Sequence, residues 1–138
     1  MAFKLPVTIR FQHCDPAGIV FYPRYFEMFN LTIEEWFEQV IGSSFHQMHL
    51  HQKIAVPTVR METEFKAMSR LEDLVVFGLK ITAIGKSSVN CTIEAVCNNE
   101  VRCTSKITLV CVDMTTSKAR IWPEPILSSM KKYLEESK

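Results

Sequence analysis

Apolar and polar residues alternate from the start of the chain: Phe3, Leu5, Val7, Ile9 and Phe11 share one parity, and Lys4, Thr8 and Arg10 the other. A period of two predicts a strand with one buried face. The period then becomes helical. From Pro23 to about Ile41, Phe26, Phe29, Ile33, Trp36, Phe37 and Val40 recur at helical spacing, with Glu27, Glu34, Glu35 and Glu38 on the opposite side. Pro23 suits the first turn of this helix, where its missing N–H would be unpaired anyway, and Gly42 ends it. The aromatic stripe reads as core.

Four more runs alternate after a polar connection. Val59, Met61 and Phe65 oppose Arg60, Glu62 and Glu64; Val75, Phe77, Leu79 and Ile81 oppose Lys80 and Thr82. The stretches SSVNCTIEAVC and VRCTSKITLVCV continue the pattern, and IGKSS and NNE read as hairpin turns. WPEPILSSMKKYLEESK predicts a short amphipathic closing helix. One long helix followed by antiparallel strands predicts an α+β domain in two layers, with one sheet face on the helix and the other, rich in Thr, Arg, Lys and Glu, toward water or a polar interface. No linker or repeat divides the chain, so residues 1–138 are expected to form one domain.

Composition narrows the function. The formal net charge of +1 gives no basic excess for nucleic acid. No apolar run approaches the roughly 18 residues of a membrane span, and the alternating N-terminus is unlike a signal peptide. Five cysteines, an odd count without a CxxC pair, argue against a disulfide framework and for a reducing cytoplasm. Cys91, Cys97, Cys103 and Cys111 fall on the apolar parity and read as small core residues.

The chemistry-bearing stretch is HCDPAGIVFYPRYFEMFN, His13 to Asn30. Its loop feeds the N-terminus of the long helix, where unpaired N–H groups and the helix dipole favour negative charge on a ligand. A carboxylate at Asp15 could attack a carbonyl or activate water while those amides stabilise the oxyanion. Gly18 leaves the backbone open to a substrate. Asp-Pro is also an ordinary turn pair, and a solvated turn aspartate is the competing reading. Cys14 lies between His13 and Asp15, but neighbours in an extended segment point opposite ways, so adjacency does not make a triad. His46, His49 and His51 lack a carboxylate or cysteine partner of known metal-binding pattern, so no metal is expected. Asn30 falls close to the apolar stripe and could border a ligand pocket.

The run DPAGIVFYPRYFEMF resembles the signature of the 4-hydroxybenzoyl-CoA thioesterase family of hotdog-fold enzymes, and VPTVRMETEF, LEDLV and the later strands extend the match along nearly the whole chain. The resemblance implies a five-stranded antiparallel sheet wrapped around one long central helix. It also implies a homodimer, with tetramers open, active sites at the subunit interface, and hydrolysis of an acyl-CoA to free acid and CoA with no cofactor. By position, Asp15 matches the family's catalytic aspartate, as nucleophile or general base. Tyr22 matches the residue whose backbone N–H polarises the thioester carbonyl, and Gly18 the loop glycine. Lys86 and Ser87, in IGKSS, lie where relatives contact CoA. Phe21, Tyr22 and Tyr25 suit an aromatic acyl group, though aromatic residues line aliphatic pockets too. The alternatives are a hotdog hydratase or dehydratase, and a non-catalytic acyl-CoA binding module in which Asp15 is only a turn residue.

Overall fold

The computed structural model describes residues 2–137; Met1 and Lys138, the ends of the expected domain, lie outside the described residues. Strand β1 (Phe3–Thr8) leads through a short 3-10 turn (Phe11–His13) to α1 (Pro23–Trp36), which runs on as a π-turn over Phe37–Ile41. Gly42 closes it at φ +84°, a left-handed conformation that glycine adopts without strain. The short α2 (Phe45–Gln47) and a second π-turn (Met48–Gln52) connect to β2 (Ile54–Ala55) and β3 (Thr58–Phe65). Then follow β4 (Leu74–Ile84), β5 (Ser88–Cys97), β6 (Glu100–Val110), β7 (Val112–Asp113) and α3 (Glu124–Glu136).

Five strands form one antiparallel sheet in the order β1-β4-β5-β6-β3, and β2 pairs with β7 apart from it. The sheet wraps α1, as expected of a hotdog fold. Period-two patterning decides which face meets the helix: Val75, Phe77, Leu79, Ile81, Val89, Cys91, Ile93 and Ala95 are buried, whereas Lys4, Lys80, Glu94 and Lys106 are exposed. From α1 the stripe Tyr25, Met28, Phe29, Ile33, Trp36 and Phe37 fills the curve. Phe29, Phe37 and Phe77 are fully buried, and each such burial contributes about 1.5–3 kcal/mol relative to exposure. Cys91, Cys97, Cys103 and Cys111 are buried and unpaired, as their parity predicts. Burial pushes the Cys91 and Cys103 thiols up to about 12, so they stay protonated and inert.

Two details depart from the sequence expectation. Phe11 shares the buried parity of β1 but is 85% exposed, because the chain leaves the strand at Thr8 and turns before reaching it. Val59 and Phe65 were expected to face the core, yet both are largely exposed. Their strand, β3, is the last in the sheet and has a neighbour, β6, on one side only.

The C-terminal helix fastens the other edge. Its Tyr133 is buried, stacks edge-on against Trp36, and places its hydroxyl between strands β1 and β4. The hydroxyl donates to the Leu79 carbonyl and accepts the Phe3 N–H at 2.6 Å. Tyr133→Phe leaves a buried donor and acceptor without that bridge. It should destabilise the fold by about 1–3 kcal/mol, read as a lower urea midpoint at unchanged m value.

Candidate active site

The Asp15 loop is a tight turn inside a small antiparallel bridge. Cys14 pairs with Val20, the Asp15 N–H donates to the Ile19 carbonyl at 3.0 Å, and the Gly18 N–H donates to the Asp15 carbonyl at 2.9 Å. Gly18 stands at φ +81°, and a Cβ there would meet nothing within 4 Å. Within the chain, then, glycine is needed for its backbone conformation rather than for clearance. The Asp15 side chain folds back on its own loop: Oδ1 accepts the Ala17 N–H at 2.9 Å, an Asx turn. That bond orients the half-buried carboxylate and leaves Oδ2 free to act on a ligand.

Beyond the loop, Tyr22 caps α1 and Pro23 is its first residue. Pro23 has no N–H, and the Tyr22 N–H donates to no backbone carbonyl among the described residues. It is an available donor at the positive end of the helix dipole. The Tyr22 ring is exposed and lies edge-on to Phe21 (centroids 5.7 Å apart) and Phe65 (5.9 Å). Phe65 also meets Tyr25 and Phe26, so β3 delivers its terminal ring to the start of α1. Tyr25, predicted to contact substrate, is buried instead, and its hydroxyl donates to Ser69 Oγ at 2.7 Å. Burial raises this phenol above its usual value, so it remains a donor. Asn30 is exposed, one step off the buried stripe.

The loop hangs between two anchors on a single segment. Before the loop, the Ile9 N–H donates to Asp73 O and the Glu72 N–H to Ile9 O, both at 2.8 Å. After it, Ile19 bridges Arg70 and the Val20 N–H donates to Ser69 O at 2.9 Å. The 69–73 stretch is itself bonded to Arg102, a residue that sequence reasoning missed. Its guanidinium Nη1 lies 2.9 Å from Met68 O, 3.3 Å from Ser69 Oγ and 2.9 Å from Asp73 Oδ2. The Arg70 N–H and then Arg102 hold the Asp73 carboxyl below its usual range.

Lys86 and Ser87 sit in the β4–β5 hairpin turn. Its backbone is fixed by the Gly85 N–H to Ser88 O (2.8 Å), the Cys111 N–H to Ser87 O (2.7 Å) and the Trp122 N–H to Lys86 O (3.1 Å). A Cβ at Gly85 would meet Ser88 Oγ, so a larger residue there would have to turn the serine hydroxyl aside. Lys86 is exposed. It does not meet Asp15 in this chain. Thr8 pairs with Leu74 at one end of β4, near the Asp15 loop, whereas Ile84 leads into the hairpin at the other. The strand is eleven residues long, so its ends stand roughly 33 Å apart at strand rise. His46 and His51 face each other with ring centroids 6.4 Å apart, but no cluster of three or more metal-ligating side chains occurs among the described residues.

Residues 9–130 match the family model of the thioesterase-like superfamily, so the match takes in the Asp15 loop, the whole sheet from β3 to β6 and most of α3. The chain belongs to the thioesterase-like superfamily. Within this superfamily it is 25% identical over 130 residues to the acyl-CoA thioester hydrolase YbgC of Escherichia coli, covering 94% of this chain and 96% of that one. Solved structures agree on the fold. Slr0204, a 1,4-dihydroxy-2-naphthoyl-CoA thioesterase from Synechocystis, superposes with a TM-score of 0.87 at 19% identity, over 95% of this chain and 96% of that one. SAV2348 from Staphylococcus aureus, solved in complex with CoA, gives 0.91 at 13% identity, over 98% and 85%. As a thioesterase-like protein, this chain offers the site a free carboxylate oxygen and a free helix-terminal N–H on adjoining segments.

His13 flanks the carboxylate and has its own bond: Nδ1 accepts the Arg10 N–H at 2.8 Å, so a neutral ring carries its proton on Nε2. Burial, and then Arg24, hold its pKa below the usual 6.5. The folded state therefore prefers the neutral imidazole. The resulting stabilisation is fully present above pH of about 6.5 and is lost as pH falls through the lower folded value. His13→Gln should show a shallower fall in unfolding free energy than wild type on acidification from about pH 7 to 5, measured by urea titration.

Proposed function

We propose that the protein is an acyl-CoA thioesterase in which Asp15 supplies the reacting carboxylate. The observation that carries this reading is the Asx turn, which engages Oδ1 and leaves Oδ2 open on the loop that leads into α1. The thioester carbonyl takes the Tyr22 N–H as its donor, at the positive end of the α1 dipole. Asp15 then attacks the carbonyl carbon, or takes a proton from a water that does. The C–S bond breaks, CoA leaves as the thiol, and water supplies the oxygen of the free acid. The exposed rings of Phe21 and Tyr22, with Phe65, suit an aromatic acyl group such as 4-hydroxybenzoyl. YbgC and Slr0204 both act on CoA thioesters, which supports the same substrate class here.

The reading includes a homodimer, and the strand order supports it. Asp15 and Lys86 of one chain are too far apart to hold one substrate. β1 is blunted as an edge by Pro6, while β3 has eight residues, no proline and exposed apolar side chains. Antiparallel pairing of two β3 edges would reverse one sheet against the other. The Phe65 end of one chain, which carries the Asp15 loop, then approaches the Thr58 end of its partner, on the side of the partner's hairpin. Sedimentation at low micromolar concentration should show at least a dimer; a fully active monomer contradicts the shared site.

Two substitutions test the chemistry. Asp15→Asn preserves shape and should lower kcat by at least about 100-fold with acyl-CoA binding retained, measured as free-thiol release over a panel of acyl-CoAs. Near wild-type hydrolysis by the folded variant would reduce Asp15 to a turn residue, and a changed acyl group with intact thioester would make the protein a hydratase. Lys86→Ala should raise KM for acyl-CoA, more at low salt, with little effect on a truncated thioester lacking the nucleotide. Equal losses on both substrates would remove Lys86 from the CoA site.

A further inference from the structure

We propose that Arg102 is a positioning residue that sets the Asp15 loop through the 66–73 segment, an inference that rests on Asp15 being the reacting carboxylate. Simple alternation places Arg102 on the outer face of β6, opposite in parity to Cys103. The register denies it that place. Val96 pairs with Val101 and Ala95 with Cys103, so Arg102 is the extra residue of a bulge and has no partner on β5. Arg102 and Cys103 are consequently both buried, and the arginine side chain is only 9% exposed. Bulges re-aim side chains in this way and are frequent beside active sites.

The re-aimed arginine holds a stretch that has no regular structure of its own. Its carbonyl accepts the N–H groups of Lys66 (2.9 Å) and Ala67 (3.1 Å). Its Nη1 reaches Met68 O, Ser69 Oγ and Asp73 Oδ2, and its Nε lies 2.6 Å from Glu100 Oε1. Five residues between 66 and 73 are thus tied to one. Ser69 passes the constraint to α1 through the Tyr25 hydroxyl, and Glu72 is kept at φ +73°, a conformation a non-glycine residue rarely adopts. Ser69, Arg70, Glu72 and Asp73 in turn provide both anchors of the Asp15 loop. Burying a guanidinium and its carboxylate is a poor route to stability, since desolvation offsets most of the attraction. What an apolar side chain could not supply is a fixed geometry for several acceptors at once, which is the arginine's contribution here.

The test is a double-mutant cycle. Arg102→Lys keeps the charge and loses the planar fork. With assays run well below the thermal midpoint, it should lower kcat about tenfold and leave KM within about twofold, because a small displacement of the reacting group acts on the transition state. In the Asp15→Asn background the same change should alter kcat less than about twofold, since the group being positioned is already gone. A residue that only supports folding would cost the same factor in both backgrounds. Asp73→Asn, which removes the anionic partner at a less buried position, should give the same non-additive pattern and serves if the lysine variant folds poorly. Equal factors in the two backgrounds, or no loss with Arg102→Lys, overturn the positioning role while leaving the function intact. A fully active Asp15→Asn protein overturns the function itself.

Discussion

The Asp15 loop depends on one constraint: both of its ends are hydrogen-bonded to the same short segment, residues 69–73. A loop fixed at one end can swing, whereas one fixed at both ends on a common support can only flex within its span. That support lies between the end of β3 and the start of β4, against the sheet, so the Asp15 carboxylate is referred to the rigid part of the fold. The Asx turn and the left-handed glycine then decide where the carboxylate oxygens point within that span. A carboxylate that must approach a carbonyl to within bonding geometry gains most of its efficiency from such placement.

A second consequence follows from sheet length. The strand that begins beside the Asp15 loop ends at the Lys86 hairpin, so Asp15 and Lys86 occupy opposite ends of one sheet. Small hotdog domains have no spare layer in which to bring such ends together. The two-fold pairing of open edges proposed above would do so without any added sequence, and the apolar side chains exposed on β3 suit it.

Much of this was legible in the sequence because periodicity reports burial directly. The period of two gave the strands and the buried parity of the cysteines, and Pro23 and Gly42 marked the helix ends where the structure has them. The Asp15 turn was legible because Asp, Pro and Gly have narrow backbone preferences. Phe11 misled because parity says nothing of where a strand stops. The burial of Tyr25 was not legible, because an aromatic next to a loop of this kind can line a site or be part of its foundation. Arg102 was invisible for a sharper reason: a bulge inserts one residue into the count, and no local pattern in VRCTSKITLVCV reveals it. Its partners Ser69 and Asp73 lie about thirty residues away and meet it only once the sheet has formed.

Residue-resolved amide hydrogen exchange tests most directly whether the carboxylate is held still by a doubly anchored loop. The N–H groups of Ile9, Asp15, Val20 and Glu72 form the anchors and the turn, and they should be protected and open together as one unit. In Arg102→Lys all four should exchange faster by a similar factor, while Phe77 and Ile93 in the core strands keep their wild-type rates. Rapid, independent exchange of Asp15 and Val20 in the wild-type protein, or no change at the four sites in the variant, would contradict the account.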